Sequence, residues 1–333
     1  MLIRPDLIEK KKAILVSSRR MPKVHKYALL SLMVPTLLTL SYTGISVLVA
    51  TMMLYAPPQP ISQTPANLGL SFRDVTFASR EDHLLLHGWF IPGILPDGRL
   101  STKQTLILLH GLHSNRASPL LLGLSAALAH KGFAILAFDM RGHGASPSAP
   151  LSGGIFEQRD VLGAVDFLRT GPLPYPALGR PHALGGWGDS LGGATMLLAA
   201  AKEPALGAIV TDSAFAAMLP LIQRGSGVPP IFVPSLLTTV RMLYGIDYQA
   251  ARPVDVIAQI APRPLLLIHG SVDTLVPPSN MSLLARAASA APHAHVQTWL
   301  VAHANHIEAY YVMGEAYVDR VASFFRAGLG PMA

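Results

Sequence analysis

Hydrophobic positions along this chain follow two different patterns. The stretch Tyr27 to Tyr55 has no charged residue, and its apolar side chains surround the whole helix rather than one face. At about 1.5 Å per residue, a helix of this length exceeds the roughly 30 Å of a bilayer core. The pattern predicts a transmembrane helix over 27–55. A buried core helix and a cleaved signal peptide are the alternatives, although Pro57 after Ala56 makes a poor cleavage site.

From residue 70 onward, short apolar runs alternate with stretches of helical character. Runs of strand length occur at 72–77, 84–91, 105–110, 133–139, 182–186, 207–212, 264–270 and 295–300. Helical stretches occur at 117–130, 155–168, 191–201, 281–290 and 310–326. Continuously apolar strands separated by helices predict an α/β fold with a mostly parallel sheet covered on both faces. The first two strands would form an antiparallel hairpin at its edge.

Two segments interrupt this rhythm. Residues 56–69 are rich in proline and uncharged, which predicts a semi-rigid linker. Residues 213–262 are rich in proline and apolar residues and are too long for a simple connection. They predict a small helical cap inserted into a domain that spans 70–329, with an ordinary packing excursion as the alternative.

The formal net charge of +7 is concentrated at one end of the chain. Residues 1–26 carry eight Lys or Arg and two acids, so the basicity belongs to this tail and does not indicate a nucleic-acid partner. Basic residues precede the apolar stretch, whereas none follows it until Arg73. The positive-inside rule therefore predicts a single-pass protein of the cell membrane, with the tail 1–26 cytoplasmic and the domain outside the cytoplasm.

Composition also restricts the chemistry. The chain has no cysteine, which excludes a disulfide framework, Cys-ligated zinc and a thiol nucleophile. Its 13 histidines include no H-E-x-x-H pattern, and its glycine-rich segments lack the lysine of a phosphate-binding loop. We expect no metal and no cofactor.

The segment LGGWGDSLGG, 184–193, carries the strongest chemical signal. Gly188 to Gly192 matches G-x-S-x-G, and it lies between a predicted strand and a predicted helix. A serine exposed on such a strained turn needs neighbours without side chains. Ser190 is therefore a candidate nucleophile.

A serine nucleophile needs a base, and the base needs an orienting acid. Asp273 lies in the loop after the predicted strand 264–270, and His306 lies in the loop after the last predicted strand. Loops at the carboxyl ends of parallel strands converge on one edge of a sheet. Ser190, Asp273 and His306 thus form a candidate set in that chain order.

Other residues compete for these positions. Asp212 also follows a predicted strand and could orient the histidine, and His303 could replace His306 as the base. Asp189 is more easily explained as a structural residue, because adjacent side chains on a sharp turn diverge. His110, Arg141 and His143 are expected to brace loops by hydrogen bonding.

Several motifs in register resemble serine hydrolases of the α/β-hydrolase superfamily, in its membrane-anchored esterase or serine aminopeptidase-like branch. They are HG at 110–111, DMRGHGAS at 139–146, GWGDSLGG at 186–193, HGSVDTLVP at 269–277 and NH at 305–306. The resemblance covers about 70–329. It implies the α/β-hydrolase fold, with helices on both faces of the sheet and a small cap.

The resemblance also implies roles for individual residues. Ser190 would be the nucleophile, His306 the general base and then acid, and Asp273 the orienting carboxylate. The oxyanion hole would comprise the backbone N–H groups of Leu191 and Leu112. The sequence has HGLH where lipases have HGGG, so His113 is an alternative to Leu112.

The activity implied is hydrolysis of a carboxylic ester, with a small-molecule or lipid-like substrate that is acyl or otherwise hydrophobic. A thioesterase and a serine aminopeptidase-like amide hydrolase are compatible with the same residues. A non-enzymatic homologue that binds a ligand or signals is the alternative from another class. The sequence leaves the oligomeric state open.

Overall fold

A computed structural model of the protein describes residues 23–57, 59–225 and 228–330. Two compact units divide the chain, with the boundary between Leu48 and Val49. The predicted basic tail, 1–26, lies almost entirely outside the described residues. Each unit is described by itself below.

The first long element is α1, Lys23–Leu54. Its segment Tyr27–Leu54 has a mean hydropathy of 1.8 and is long and apolar enough, by length and composition, to cross a membrane. Hydroxyl groups within it bond to carbonyls one turn earlier. For example, Thr36 Oγ1 donates to the Leu32 carbonyl at 2.8 Å. Such bonds satisfy polar groups inside the helix itself.

Ten strands follow in the described part of the second unit. They are β1 Arg73–Ala78, β2 Leu85–Ile91, β3 Gly93–Ile94, β4 Leu100–Ser101, β5 Gln104–Leu109, β6 Ala134–Phe138, β7 Ala183–Asp189, β8 Leu206–Asp212, β9 Leu265–Gly270 and β10 Val296–Val301. Eight of them form one sheet in the order β1-β2-β6-β5-β7-β8-β9-β10, and β3 pairs with β4 alone. β1 lies at one edge and is antiparallel to β2, which is in turn antiparallel to β6, and the six strands from β6 to β10 in this order are parallel.

Helices connect the parallel strands and form the cap. They are α2 Pro119–His130, α3 Gln158–Thr170, α4 Ser190–Ala200, α5 Met218–Gly225, α6 Val233–Tyr244, α7 Pro253–Val256, α8 Ser279–Ser289, α9 Ala309–Met313 and α10 Glu315–Leu329.

The alternation of side chains along the strands creates a core on each face of the sheet. Along β5, Ile107 and Leu109 enter the core beneath α3, α4 and α8, whereas Leu106 and Leu108 enter the core beneath α2 and α10. Both faces are buried, which explains why the strands are continuously apolar rather than alternating in sequence. The carboxyl ends of the parallel strands remain the edge where polar side chains can meet.

The cap region contains α5, α6 and α7, and it packs against the end of α1 within the second unit. Ala50 and Leu54 are buried in a cluster with side chains of the cap, namely Ile222, Leu236, Val240, Ile246 and Tyr248. The carbonyl of Leu54 accepts a hydrogen bond from the N–H of Leu151 at 2.7 Å. The last turn of α1 is thus a structural part of the cap.

Two local differences from the sequence prediction concern the site. The strand predicted at 182–186 continues to Asp189, because Gly188 and Asp189 keep pairing with β8. The helix predicted at 310–326 is split into α9 and α10 at Gly314, whose φ of 52° breaks the helical run. The short hairpin of β3 and β4 was not predicted.

Candidate active site

Ser190 lies on a sharp turn between β7 and α4. Its φ is +49°, a left-handed value that is unusual for a residue with a side chain. Glycines make the turn possible: a Cβ added at Gly188 would lie 2.5 Å from the carbonyl carbon of Gly192. A Cβ added at Gly192 would lie 2.6 Å from the carbonyl oxygen of His110. The turn therefore requires glycine at both positions.

The structure brings Ser190, His306 and Asp273 together. His306 Nε2 is 2.9 Å from Ser190 Oγ, and His306 Nδ1 is 2.8 Å from Asp273 Oδ2. A carboxylate can only accept, so Nδ1 carries the proton and Nε2 is left as an acceptor for the serine hydroxyl. This tautomer is the one that a general base needs.

Asp273 is buried, yet its surroundings favour the charged form. Burial alone would raise the pKa of Asp273, but the hydrogen bond from His306, the close approach of His269 Nε2 at 3.3 Å and the N–H of Val276 outweigh it and hold the pKa well below its usual value. The N–H of His269 Nε2 itself donates to the Val276 carbonyl at 2.7 Å. Asp273 therefore remains ionised at neutral pH. His269, at the end of β9, is a partner that the sequence reasoning did not identify.

The competing acid Asp212 has a different set of partners. Tyr317 donates to its Oδ2 at 2.9 Å, and Ser213 Oγ donates to its Oδ1 at 3.0 Å. Ser213 Oγ in turn accepts the N–H of Ile307, directly after His306, at 3.2 Å. Asp212 thus holds the loop that carries His306 through Ser213, and it does not hydrogen-bond the His306 ring. No sequence signal marked Ser213 for this position.

His303, the alternative base, is exposed at the start of the same loop. Its backbone N–H donates to Ser271 Oγ at 3.0 Å. This bond fixes the loop, and it is not a step in a proton relay. The structure therefore places His306, and not His303, beside the candidate nucleophile.

Two backbone amides are candidates for an oxyanion hole. Leu191 lies in the first turn of α4, where N–H groups have no partner within the helix and carry its positive dipole end. Gly111 lies against the nucleophile, since a Cβ added there would be 3.3 Å from Ser190 Cβ. The N–H of His113 already donates to His143 Nε2 at 3.3 Å. This bond favours Leu112 over His113 as the second donor.

Asp189 joins the two parts of this hole. A Cβ added at Gly111 would lie 2.8 Å from Asp189 Oδ2, so the carboxyl packs directly on the Gly111 loop. Burial and the nearby charge of Asp212, paired with it across β7 and β8, raise the pKa of Asp189 to about 8. Hydrogen bonds from the N–H of Gly111 and of Asp189 itself only partly offset this. These surroundings favour the neutral form of Asp189, whose carboxyl ties the turn to the loop.

His110 and His143 form a buried pair behind the loop. His110 Nε2 accepts the N–H of Met140 at 3.1 Å, so its Nδ1 carries the proton and donates to the Gly111 carbonyl at 2.8 Å. His143 likewise accepts from His113 and donates through Nδ1 to the Arg141 carbonyl at 3.0 Å. Their ring centroids are 4.9 Å apart. Each ring makes both bonds only when it is neutral.

Charged pairs complete the bracing of these loops. Arg141 donates to Asp160 and to Asp82, with all three side chains at least partly buried. Arg116 pairs with the buried Asp139. Arg141 was expected to brace a loop, whereas the Arg116 pair was not foreseen. Among the residues that the structure describes, no group of three or more His, Asp or Glu is placed to hold a metal ion.

Comparison with known proteins bears on the fold. The model of the family described as serine aminopeptidase, S33 (Hydrolase_4) matches residues 101–237, less than half of the chain. The match includes Ser190 but neither Asp273 nor His306. The esterase Pf2001 of Pyrococcus furiosus superposes with a TM-score of 0.68 at 24% identity, over 83% of this chain and 100% of that one. The chain has the α/β-hydrolase fold.

Further relatives support the α/β-hydrolase superfamily that the motifs predicted. The uncharacterized protein YfhR of Escherichia coli K12 is 27% identical over 78% of this chain and 83% of its own length. The α/β-hydrolase domain-containing protein WAV2 of Arabidopsis thaliana is 27% identical over 77% of this chain and 85% of its own. An acylaminoacyl peptidase of Pyrococcus horikoshii superposes with a TM-score of 0.60 at 17% identity, over 79% of this chain and 43% of that one.

The predicted fold class is therefore confirmed in its mostly parallel eight-stranded sheet with helices on both faces. Because esterases and peptidases share this α/β-hydrolase fold, the comparisons support a hydrolase in general terms.

The neutral histidine pair predicts a specific loss of stability in acid. Burial lowers the pKa of both His110 and His143 to about 4, whereas unfolded histidine binds a proton near about 6.5. Between these values the unfolded chain binds more protons. The stability that depends on neutral His110 and His143 is therefore fully present above pH about 6.5. It is lost progressively as the pH falls to about 4, and the free energy of unfolding decreases by on the order of 3 kcal/mol for each ring.

Replacing His143 with Gln removes one of the two rings, so we expect the Tm of the variant to fall less steeply between pH 6.5 and 4. The measurement is thermal unfolding of the full chain in detergent at a series of pH values. His182→Gln, at an exposed position, is the matched control and should keep the wild-type slope. An equal slope in all three proteins would contradict the neutral pair.

Proposed function

We propose that this protein is a membrane-anchored serine hydrolase that cleaves a carboxylic ester through a covalent acyl-enzyme. The observation that carries the proposal is the continuous hydrogen-bonded line from Asp273 through His306 to Ser190 Oγ, with contacts of 2.8 and 2.9 Å. A nucleophile, a base in the required tautomer and an ionised orienting acid are all present in it.

The reaction follows from this line. Ser190 Oγ attacks the substrate carbonyl carbon while its proton passes to His306 Nε2. The N–H groups of Leu191 and Leu112 hold the resulting oxyanion, and loss of one such donor generally costs about 2.7–4 kcal/mol. The intermediate collapses as His306 returns the proton to the leaving alkoxide. Water, deprotonated by His306, then attacks the acyl carbon, and the tetrahedral intermediate collapses as His306 returns this proton to Ser190 Oγ and the carboxylic acid is released.

An amide substrate is the second candidate, because the matching family model is that of serine aminopeptidases and one structural neighbour is an acylaminoacyl peptidase. A thioester would use the same residues. A ligand-binding role without catalysis fits less well, since all three side chains of the line are present and in contact.

Turnover of a graded substrate panel tests the activity. The full chain in detergent should hydrolyse p-nitrophenyl esters, from acetyl to dodecanoyl, faster than amino-acid p-nitroanilides. Ser190→Ala should abolish turnover, and Asp273→Asn should lower kcat by on the order of 10⁴-fold, because an amide cannot hold the histidine tautomer. His306→Gln should be similarly impaired, with each variant keeping its Tm within a few degrees.

His303→Gln is the matched control for the base, since His303 is an exposed histidine on the same loop, and it should retain wild-type turnover. Ester turnover by Ser190→Ala at the wild-type rate would overturn the proposal. Faster cleavage of the anilides than of the esters would favour the amide hydrolase.

The membrane anchor is proposed from Tyr27–Leu54, and the basic residues before it favour a topology with the domain outside the cytoplasm. A protease added to intact cells expressing the chain with a C-terminal epitope should remove the epitope after the outer membrane, where there is one, is permeabilised. Protection of the epitope until the cytoplasmic membrane is lysed would contradict this topology.

A further inference from the structure

A buried series of hydrogen bonds joins the strand of the candidate nucleophile to the loop of the candidate base. Trp187 Nε1 donates to Tyr317 Oη at 3.1 Å, and Tyr317 Oη donates to Asp212 Oδ2 at 2.9 Å. Ser213 Oγ donates to Asp212 Oδ1 at 3.0 Å and accepts the N–H of Ile307 at 3.2 Å. We call these five residues the buried network.

The buried network lies on the face of the sheet opposite to α4. Trp187 and Tyr317 belong to the core beneath α2 and α10, whereas α4, which begins at Ser190, packs into the other core. Trp187 precedes Ser190 by three residues on β7, and the other end of the network directly follows His306. Side chains, and not the backbone alone, therefore connect the strand of the nucleophile with the loop of the base.

Asp212 is the acceptor on which the network converges. Each hydroxyl accepts one bond and donates one, and both hydroxyl donors point to the carboxyl of Asp212, which is fully buried. Burial raises the pKa of Asp212, and the donors Tyr317 and Ser213 act in the opposite direction. A buried acceptor that loses its donor is costly. Without the Tyr317 hydroxyl, the carboxyl would therefore rotate or bind a proton, and it would no longer fix Ser213 Oγ.

The far end of the network holds a strained backbone. Ser213 has a φ of +55° and Ile307 a φ of +54°. A left-handed φ at a β-branched residue persists only where the surrounding structure holds it. The bond from the Ile307 N–H to Ser213 Oγ holds this peptide, and the imidazole of the preceding residue, His306, lies 2.9 Å from Ser190 Oγ. Movement of this peptide would therefore displace the imidazole.

We propose that Tyr317 is a positioning residue, which acts through the buried network to set the distance between His306 Nε2 and Ser190 Oγ. This inference rests on the proposed function as a serine hydrolase. The ring of Tyr317 is held separately from its hydroxyl, by Trp299 and Tyr310 at centroid distances of 5.8 Å each. Removal of the hydroxyl alone therefore alters the network and leaves these ring contacts in place.

Hydrolysis of p-nitrophenyl butyrate by the full chain in detergent, well below the Tm of each variant, tests this role. Tyr317→Phe should lower kcat about ten-fold and leave KM within about two-fold, because a displaced base slows the chemical step without altering binding. Tyr310→Phe removes a hydroxyl from the neighbouring ring and is the matched control, which should keep wild-type kcat. An equal loss of kcat in both variants would overturn the role, as would a lower Tm with unchanged kcat in Tyr317→Phe.

A second variant interrupts the same network at another hydroxyl. Ser213→Ala should lower kcat by at least as much as Tyr317→Phe, whereas Ser125→Ala, which removes a similarly buried hydroxyl from α2, should not. The double variant of Tyr317→Phe with Ser213→Ala should be no slower than Ser213→Ala alone, because both changes remove the same connection. Losses that multiply in the double variant would contradict a single network.

The outcomes separate this inference from the proposed function. A wild-type chain that hydrolyses no ester and that a fluorophosphonate does not modify would overturn the hydrolase and, with it, the positioning role. An active wild type with unchanged kcat in Tyr317→Phe would overturn the positioning role alone. If Tyr317→Phe does not fold, Ser213→Ala decides. Wild-type kcat in Ser213→Ala would overturn the role, and a loss of kcat at unchanged KM would support it.

Discussion

The strained turn at Ser190 is the constraint on which the site depends. A left-handed φ at a residue with a side chain costs on the order of 1–3 kcal/mol, and it persists only where surrounding packing fixes it. Here the packing is mutual: Gly192 leaves room for the His110 carbonyl, and Gly111 leaves room for Ser190 and Asp189. The turn and the loop therefore hold each other, and this contact aims Oγ at His306 while the first N–H groups of α4 face the same space.

Around this turn, the protonation state of each buried group follows from its hydrogen-bond donors. Asp273 receives N–H groups from His306 and the backbone and lies beside His269, so it stays charged and fixes the tautomer of His306. Asp189 has fewer donors and faces Asp212, so its pKa is raised and its neutral form is favoured. The rings of His110 and His143 must be neutral because each accepts a backbone N–H. Burial alone would raise the pKa of both Asp273 and Asp189. The hydrogen-bond donors around Asp273 are what lower its pKa instead.

The sequence was sufficient for the features that have a short-range cause. Continuous apolar runs predicted the parallel sheet, and the glycines of 184–193 predicted the turn at Ser190, because both depend on neighbouring residues. The contacts of Ser213 with Ile307, and of Asp189 with Gly111, join residues far apart in the chain, so only the folded geometry reveals them. The choice between Leu112 and His113 likewise depended on a bond to His143. The packing of Leu54 into the cap has no signal in an evenly apolar helix.

The most direct measurement of the proposed chemistry is the site of covalent capture. The full chain is treated with a fluorophosphonate, which mimics the tetrahedral intermediate, and its peptides are mapped by mass spectrometry. One adduct is predicted, on the peptide that contains Ser190, and Asp273→Asn should form it far more slowly because His306 Nε2 would no longer accept the serine proton. An unmodified wild-type protein, or an adduct on another residue, would contradict a nucleophilic Ser190.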